Sequence, residues 1–126
     1  MALLLLIDED RDSCYLAKRI LSREGHIMGA FTETEEALEW LSRNSPDFAI
    51  ASAGKHGQRA RKMVELLRGT GIKGPRIILS AETGDLGAIR RTFAGSVLEV
   101  IEKGNGFEKL LEVIKSAGVE EKKNES

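Results

Sequence analysis

Leu3 to Ile7 is an unbroken run of large aliphatic residues that stops at three carboxylates, Asp8, Glu9 and Asp10. A run without alternation predicts a strand buried on both faces, here the central strand of a parallel sheet packed between helices. Asp10 then reads as the N-cap of a first helix over Asp10–Glu24, whose stripe of Ala17, Ile20 and Leu21, with Leu16 and Cys14 alongside, ends at Gly25. His26–Phe31 is compatible with a strand, and Gly29 within it signals a sheet edge or a close contact. Thr32-Glu33-Thr34-Glu35 has the spacing of a capping box, which predicts a second helix through Ala37, Leu38 and Leu41, with Trp40 flanking the core.

The same alternation continues. Phe48–Ala51 forms a third apolar run ending at Ser52, and a glycine-bearing loop follows. Ala60, Met63, Val64 and Leu67 fall at helical spacing and predict a third helix over Gln58–Arg68. Pro75 introduces a fourth strand, Arg76–Ser80; a fourth helix over Asp85–Phe93 turns Leu86, Ile89 and Phe93 inward. Val97–Ile101 is the fifth strand, and Phe107, Leu110, Leu111 and Ile114 mark the fifth helix. Residues 119–126 are charged and lack a stripe, so a disordered tail is expected after a single domain over residues 1–118. Five strands alternating with five helices predict an α/β fold, a doubly wound parallel sheet, because parallel neighbours need helical crossovers.

Composition narrows the partners. Acids and bases nearly cancel to a formal charge of -1, so nothing draws the whole chain toward nucleic acid or anionic lipid. The locally basic stretch of Lys55, Arg59, Arg61, Lys62, Arg68 and Lys73 has no interleaved aromatics and reads as a solvated helix face. The lone Cys14 favours a reducing cytoplasm and a packing role, and the short N-terminal apolar run predicts neither signal peptide nor membrane anchor.

In a parallel sheet the carboxyl ends of all strands gather along one edge, where such folds bind ligands. Asp8 and Glu9, Ser52, Ser80 and Lys103 all fall there. Carboxylates suit a hard cation; hydroxyls with an ammonium suit an oxyanion.

These features, in this order, resemble the receiver domain of bacterial response regulators over Leu3–Ala117: the acid pair Asp8-Glu9, Pro46-Asp47 before strand 3, Ser80 after strand 4 and Lys103 after strand 5. The resemblance implies a flavodoxin-like sheet of order 2-1-3-4-5 and a role in two-component phosphorelay signalling. It matches Asp8 and Glu9 to metal-binding acids, Ser80 to the switch hydroxyl and Lys103 to the phosphate-contacting lysine. It also implies an aspartate phosphoacceptor where this chain has Ser52. Asp47 cannot substitute, lying roughly 16 Å away at about 3.3 Å per residue along the strand. Val100 stands where the family carries a swinging aromatic, and Gly104 where it carries a proline.

A pseudo-receiver is therefore expected: no enzyme, no catalytic residue, and regulation through protein partners, whether a sensor kinase, an output protein or a second copy of the chain. The family's output face would here carry Arg90, Arg91, Glu99 and the charged side of helix 5. With the third acid missing, Lys103 is expected to bridge to Asp8 or Glu9 and to leave any Mg²⁺ binding weak. A serine hydroxyl needs an activating base, and His56, four residues on in a loop, is poorly placed for that. The alternative is a flavodoxin-like small-ligand or anion-binding domain, with the glycines of Ser52–Gly57 wrapping a phosphate.

Overall fold

The computed structural model describes residues 2–71, 76–82, 84, 86–104 and 107–125, with side-chain surroundings as far as residue 118. Five strands, β1 (Leu3–Ile7), β2 (Ile27–Phe31), β3 (Phe48–Ser52), β4 (Ile77–Ala81) and β5 (Glu99–Glu102), form one all-parallel sheet of order β2-β1-β3-β4-β5. Five helices alternate with them: α1 (Arg11–Arg23), α2 (Thr34–Leu41), α3 (Ala60–Gly69), α4 (Leu86–Phe93) and α5 (Glu108–Glu125). This is the flavodoxin-like order expected. The centre of the sheet, however, is β3, with β1 between it and the edge strand β2. Burial on both faces requires only an interior place, so the apolar run of β1 cannot distinguish second from middle.

Strand periodicity divides the core into two layers. Leu5, Ile7, Ala49, Ala51, Ile77, Leu79 and Val100 pack against residues of α2, α3 and α4, including Ala37, Met63, Leu67 and Phe93. Leu4, Leu6, Phe48, Ile50, Ile78 and Ile101 pack on the opposite face against Cys14, Ala17 and Leu21 of α1 and Leu110 and Ile114 of α5. Side chains alternate across a strand, so Asp8, Ser52 and Ser80, each an even step from Leu6, Ile50 and Ile78, belong to the α1–α5 side.

Local details test the sequence pattern. Asp10 caps α1 as expected, its carboxylate accepting the N–H groups of Asp12 and Ser13. Leu16, in contrast, turns outward and is 48% exposed. The capping box is not formed: α2 begins after Glu33, which makes no side-chain cap. Helix α5 continues to Glu125, into the stretch from 119 expected to lack structure, where good helix formers recur. Pro75, Lys73 and Asp85, invoked for strand 4, the basic stretch and helix 4, lie outside the described residues.

Gly29 satisfies both readings of a strand glycine. It lies on the edge strand, and a Cβ there would meet Trp40 at 2.7 Å, so its missing side chain is the seat for the indole of α2. Trp40 packs against the core and tilts against Phe31 with ring centroids 6.1 Å apart.

Candidate functional site

Asp47 and Asp8 mark opposite ends of the sheet. At the amino end, the Asp47 carboxylate accepts the Leu3 N–H at 2.8 Å and its carbonyl accepts Arg76 Nη1 at 2.8 Å. Asp47 is thus structural. At the carboxyl end, Ser52 and Ser80 are register partners on adjacent strands, and the Ala53 N–H donates to the Ser80 carbonyl at 2.8 Å.

Asp8 is buried and takes a two-pronged contact from Lys103, whose Nζ lies 2.9 Å from Oδ1 and 2.8 Å from Oδ2. The same Oδ1 accepts the Asp10 N–H at 2.9 Å, and the Asp8 carbonyl accepts Cys14 Sγ at 3.2 Å. Lys103 is placed by its own N–H donating to the Ala81 carbonyl at 2.7 Å. Gly104 beside it has φ +102. Proline, fixed near φ -65°, cannot adopt that conformation, so this turn is built differently from the one the resemblance implies. Burial, and next the Asp8 charge, push the Cys14 thiol above its ordinary range; thiolate chemistry is disfavoured and the packing role stands.

Glu9 is paired too, by a residue that sequence alone assigns to a solvated basic face. Arg59 Nη1 lies 2.8 Å from Glu9 Oε2, and Nη2 reaches Thr34 Oγ1 at 3.4 Å. The guanidinium therefore crosses to the acid pair instead of facing solvent with its basic neighbours. What brings it there is the loop after β3. Gly54 has φ +79, and a Cβ on it would strike the Arg59 Cγ at 2.7 Å. The Arg59 N–H closes the loop onto the Ala53 carbonyl at 2.7 Å. The sequence does contain a signal for it: Asp8 and Glu9 against Lys103 alone leave one negative charge, and a second cation balances the site.

Ser52 sits 3% exposed between these pairs. Its Oγ accepts the Gly54 N–H at 3.2 Å and has Glu9 Oε1 at 3.5 Å. The first contact is a hydroxyl turn bracing the loop. The second is too long for a strong hydrogen bond, and Arg59 holds that carboxylate from its other oxygen. Glu9 is therefore a poor activating base for the serine. His56 is exposed on a 3₁₀ turn at φ +61. The glycines Gly54 and Gly57, offered as a phosphate wrap, are positive-φ positions of this turn and have packing duties against Arg59 and Ile89.

The donor set fits a resident dication poorly. Asp8 and Glu9 are each already matched by a cation within 3 Å, and the side chain beside them at the end of β3 is the hydroxyl of Ser52. Among the described residues no three His, Cys, Asp or Glu side chains converge as a metal site.

Along the edge formed by α4 and β5, Val100 is buried in the core. Arg90 of α4 donates to the Val100 carbonyl at 2.9 Å and lies 3.7 Å from Glu99. These contacts tie α4 to β5 while leaving the Arg90 and Glu99 side chains partly exposed, and Arg91 is exposed beside them.

No protein-family model matches the chain, and no curated protein matches it in sequence. Solved structures do. A response regulator from Thermotoga maritima superposes with TM-score 0.71 at 18% identity, covering 90% of this chain and 94% of that one. A response regulator receiver domain protein from Clostridium thermocellum gives 0.74 at 19% identity, over 97% of this chain and 98% of the other. The response regulator TrrA from Thermotoga maritima, determined in complex with Mg(2+)-BeF, gives 0.68 at 23% identity, over 92% and 98%. Among the described residues no helix is long and apolar enough to cross a membrane. What the chain shares with these neighbours is architecture: its sheet order and five flanking helices are those of the receiver fold.

Proposed function

We propose that the chain is a pseudo-receiver of the response-regulator type, a cytoplasmic signalling module that works by binding protein partners in a single conformation rather than by accepting a phosphoryl group. The observation that carries this reading is the pairing of both site acids with internal cations, Asp8 with Lys103 and Glu9 with Arg59, around a serine at the acceptor position. A carboxylate at position 52 would add a third negative charge, able to draw the ammonium out of its pair and a dication into the site; with serine there, the paired groups satisfy one another. An intact receiver changes conformation when its site is loaded. In this chain the internal pairs hold the carboxyl edge together without loading, and Arg90 fixes α4 against β5.

Divalent cation binding is weak on the same account, because a cation must first displace Lys103 or Arg59 from its carboxylate. Nor do the residues favour enzymatic turnover: the Ser52 hydroxyl braces its loop and has no good base. The partners that fit are a sensor kinase or an output protein, with a second copy of the chain as the further option.

Incubation with beryllofluoride and Mg²⁺, followed by amide NMR on the native chain and on Ser52→Asp, tests this reading. No response from the native chain with a response from the variant is the expected result. A saturable response of the native chain, or a stable phosphoryl adduct on it, overturns it.

A further inference from the structure

A cleft of about 760 Å³ opens between α1 and α5 at the carboxyl edge of the sheet, within the roughly 300–1,000 Å³ span of small-molecule sites. Leu16 and Ala17 form one wall, Phe107 and Leu110 the other, and Ile50 and Ile101 the floor. This apolar slot explains why Leu16, which the helical stripe would bury, is left half-exposed: its neighbour across the cleft is open space.

One end of the slot is polar, and it is distinct from the Glu9–Arg59–Ser52 side of the edge. Ser80 lines it, 9% exposed, and its hydroxyl makes no hydrogen bond among the described residues. The oxygen is open to the cleft rather than sealed in the core, so water meets it when the cleft is empty and a donor on a bound molecule can take that water's place. Four charged side chains also line the cleft, three of them carboxylates (Asp8, Glu82 and Glu102) and one an ammonium (Lys103). Asp8 and Lys103 neutralise each other. The exposed Glu82 then leaves this end acidic.

We propose that the cleft binds a small amphipathic organic cation, with an aromatic or aliphatic body between α1 and α5 and an amine donating to Ser80 Oγ beside Glu82. The apolar walls take the body by excluding water. The hydroxyl supplies a fixed acceptor, and the Glu82 carboxylate selects a cation over an anion of the same shape. Nothing in this requires phosphoryl chemistry, so the proposal stands apart from the pseudo-receiver reading.

Amide NMR titrations with three probes of one shape test it: tryptamine as the cation, 3-ethylindole as the neutral form and indole-3-propionate as the anion. Tryptamine is expected to give saturable shifts at Leu16, Ser80, Ile101 and Phe107, and to bind at least about threefold tighter than the anion, the scale of a partly solvated charge contact. Glu82→Gln should narrow that preference without moving the neutral probe. Leu16→Trp, which fills the slot from a half-exposed position, should weaken all three. The proposal is overturned by shifts that fail to saturate for every probe, by equal or tighter binding of the anion, or by shifts mapping to Ser52–Gly57 instead. It is equally overturned if the cleft amides move with chain concentration alone, which would identify a second copy as the occupant.

Discussion

Lys103 and Asp8, ninety-five positions apart, meet in a two-pronged ion pair on a carboxylate that is 5% exposed. Breaking such a pair from one side strands a charge, which costs about 3–5 kcal/mol when both partners are wholly buried. Lys103 retains about a quarter of its exposure, and water can reach the stranded acid, so Lys103→Met is expected to cost about 2 kcal/mol, below that range. Adding Asp8→Asn should recover most of the loss, since no charge is left stranded. Urea unfolding of the two variants checks this; a double variant no more stable than Lys103→Met would show that the pair is not what the site depends on.

Arg59 sets the cation chemistry of the other acid. With Asp8, Glu9, Lys103 and Arg59 the edge is formally balanced; Ser52→Asp makes it one charge negative, and adding Arg59→Ala makes it two. Mg²⁺ affinity should rise in that order, with the double variant at least about tenfold tighter than Ser52→Asp, since a charge contact of the Arg59–Glu9 kind no longer has to be displaced. Isothermal titration or amide shifts at Glu9 and Gly54 give the readout. Equal affinities in the two variants would rule out competition by Arg59.

Gly54 makes that competition possible, and it can be tested separately. Its φ is +79, and a methyl group added to it would sit 2.7 Å from the Arg59 stem. Gly54→Ala should therefore cost about 1–2 kcal/mol from backbone strain and displaced packing. It should also loosen Arg59 from Glu9, raising Mg²⁺ affinity in the Ser52→Asp background. Loss of stability with unchanged affinity would confine the glycine to a turn role.

Apolar runs of strand length without alternation locate β1, β3 and β4, which are covered on both faces, and helical spacing locates Met63, Val64 and Leu67 because residues three and four apart share the buried face of α3. Gathering Asp8, Ser52, Ser80 and Lys103 at one edge needs only the shared direction of parallel strands. Arg59 is not legible in this way, because its side chain is steered by loop dihedrals at Gly54 and not by any periodic signal. Leu16 escapes too, because a stripe of apolar residues cannot reveal where two helices part. The capping box fails because Thr32 and Glu35 have the right spacing but the chain enters α2 later, after Glu33.

Gly29 and Trp40 provide a test of the edge strand. A methyl group at Gly29 would lie 2.7 Å from Trp40 Cε2, and the strand offers it no empty volume. Gly29→Ala is expected to cost about 1–3 kcal/mol, the usual penalty of overpacking, and to shift Trp40 fluorescence as the indole moves toward solvent. The single tryptophan makes the signal unambiguous. An unchanged emission spectrum with full stability would show that α2 slides on β2 at little cost.

His26 gives the fold a pH dependence near neutrality. Its Nδ1 accepts the Ala2 N–H at 3.1 Å, a bond that needs the neutral ring. Burial, and next the N-terminal charge, lower its pKa from 6.5, with Glu24 opposing. In the window between the folded and unfolded values the unfolded chain binds more protons, so stability rises with pH there. The contribution is fully present above 6.5 and is lost as pH falls through the lowered folded value. Urea midpoints taken between about pH 5.5 and 7.5, where histidine is the side chain that ordinarily titrates, should fall toward the acid end for the native chain. His26→Asn keeps an acceptor for the Ala2 N–H but cannot titrate, so its midpoint should be flatter over the same interval. Parallel slopes for the two proteins would assign the pH dependence to other groups and leave His26 a purely structural acceptor at the start of the edge strand.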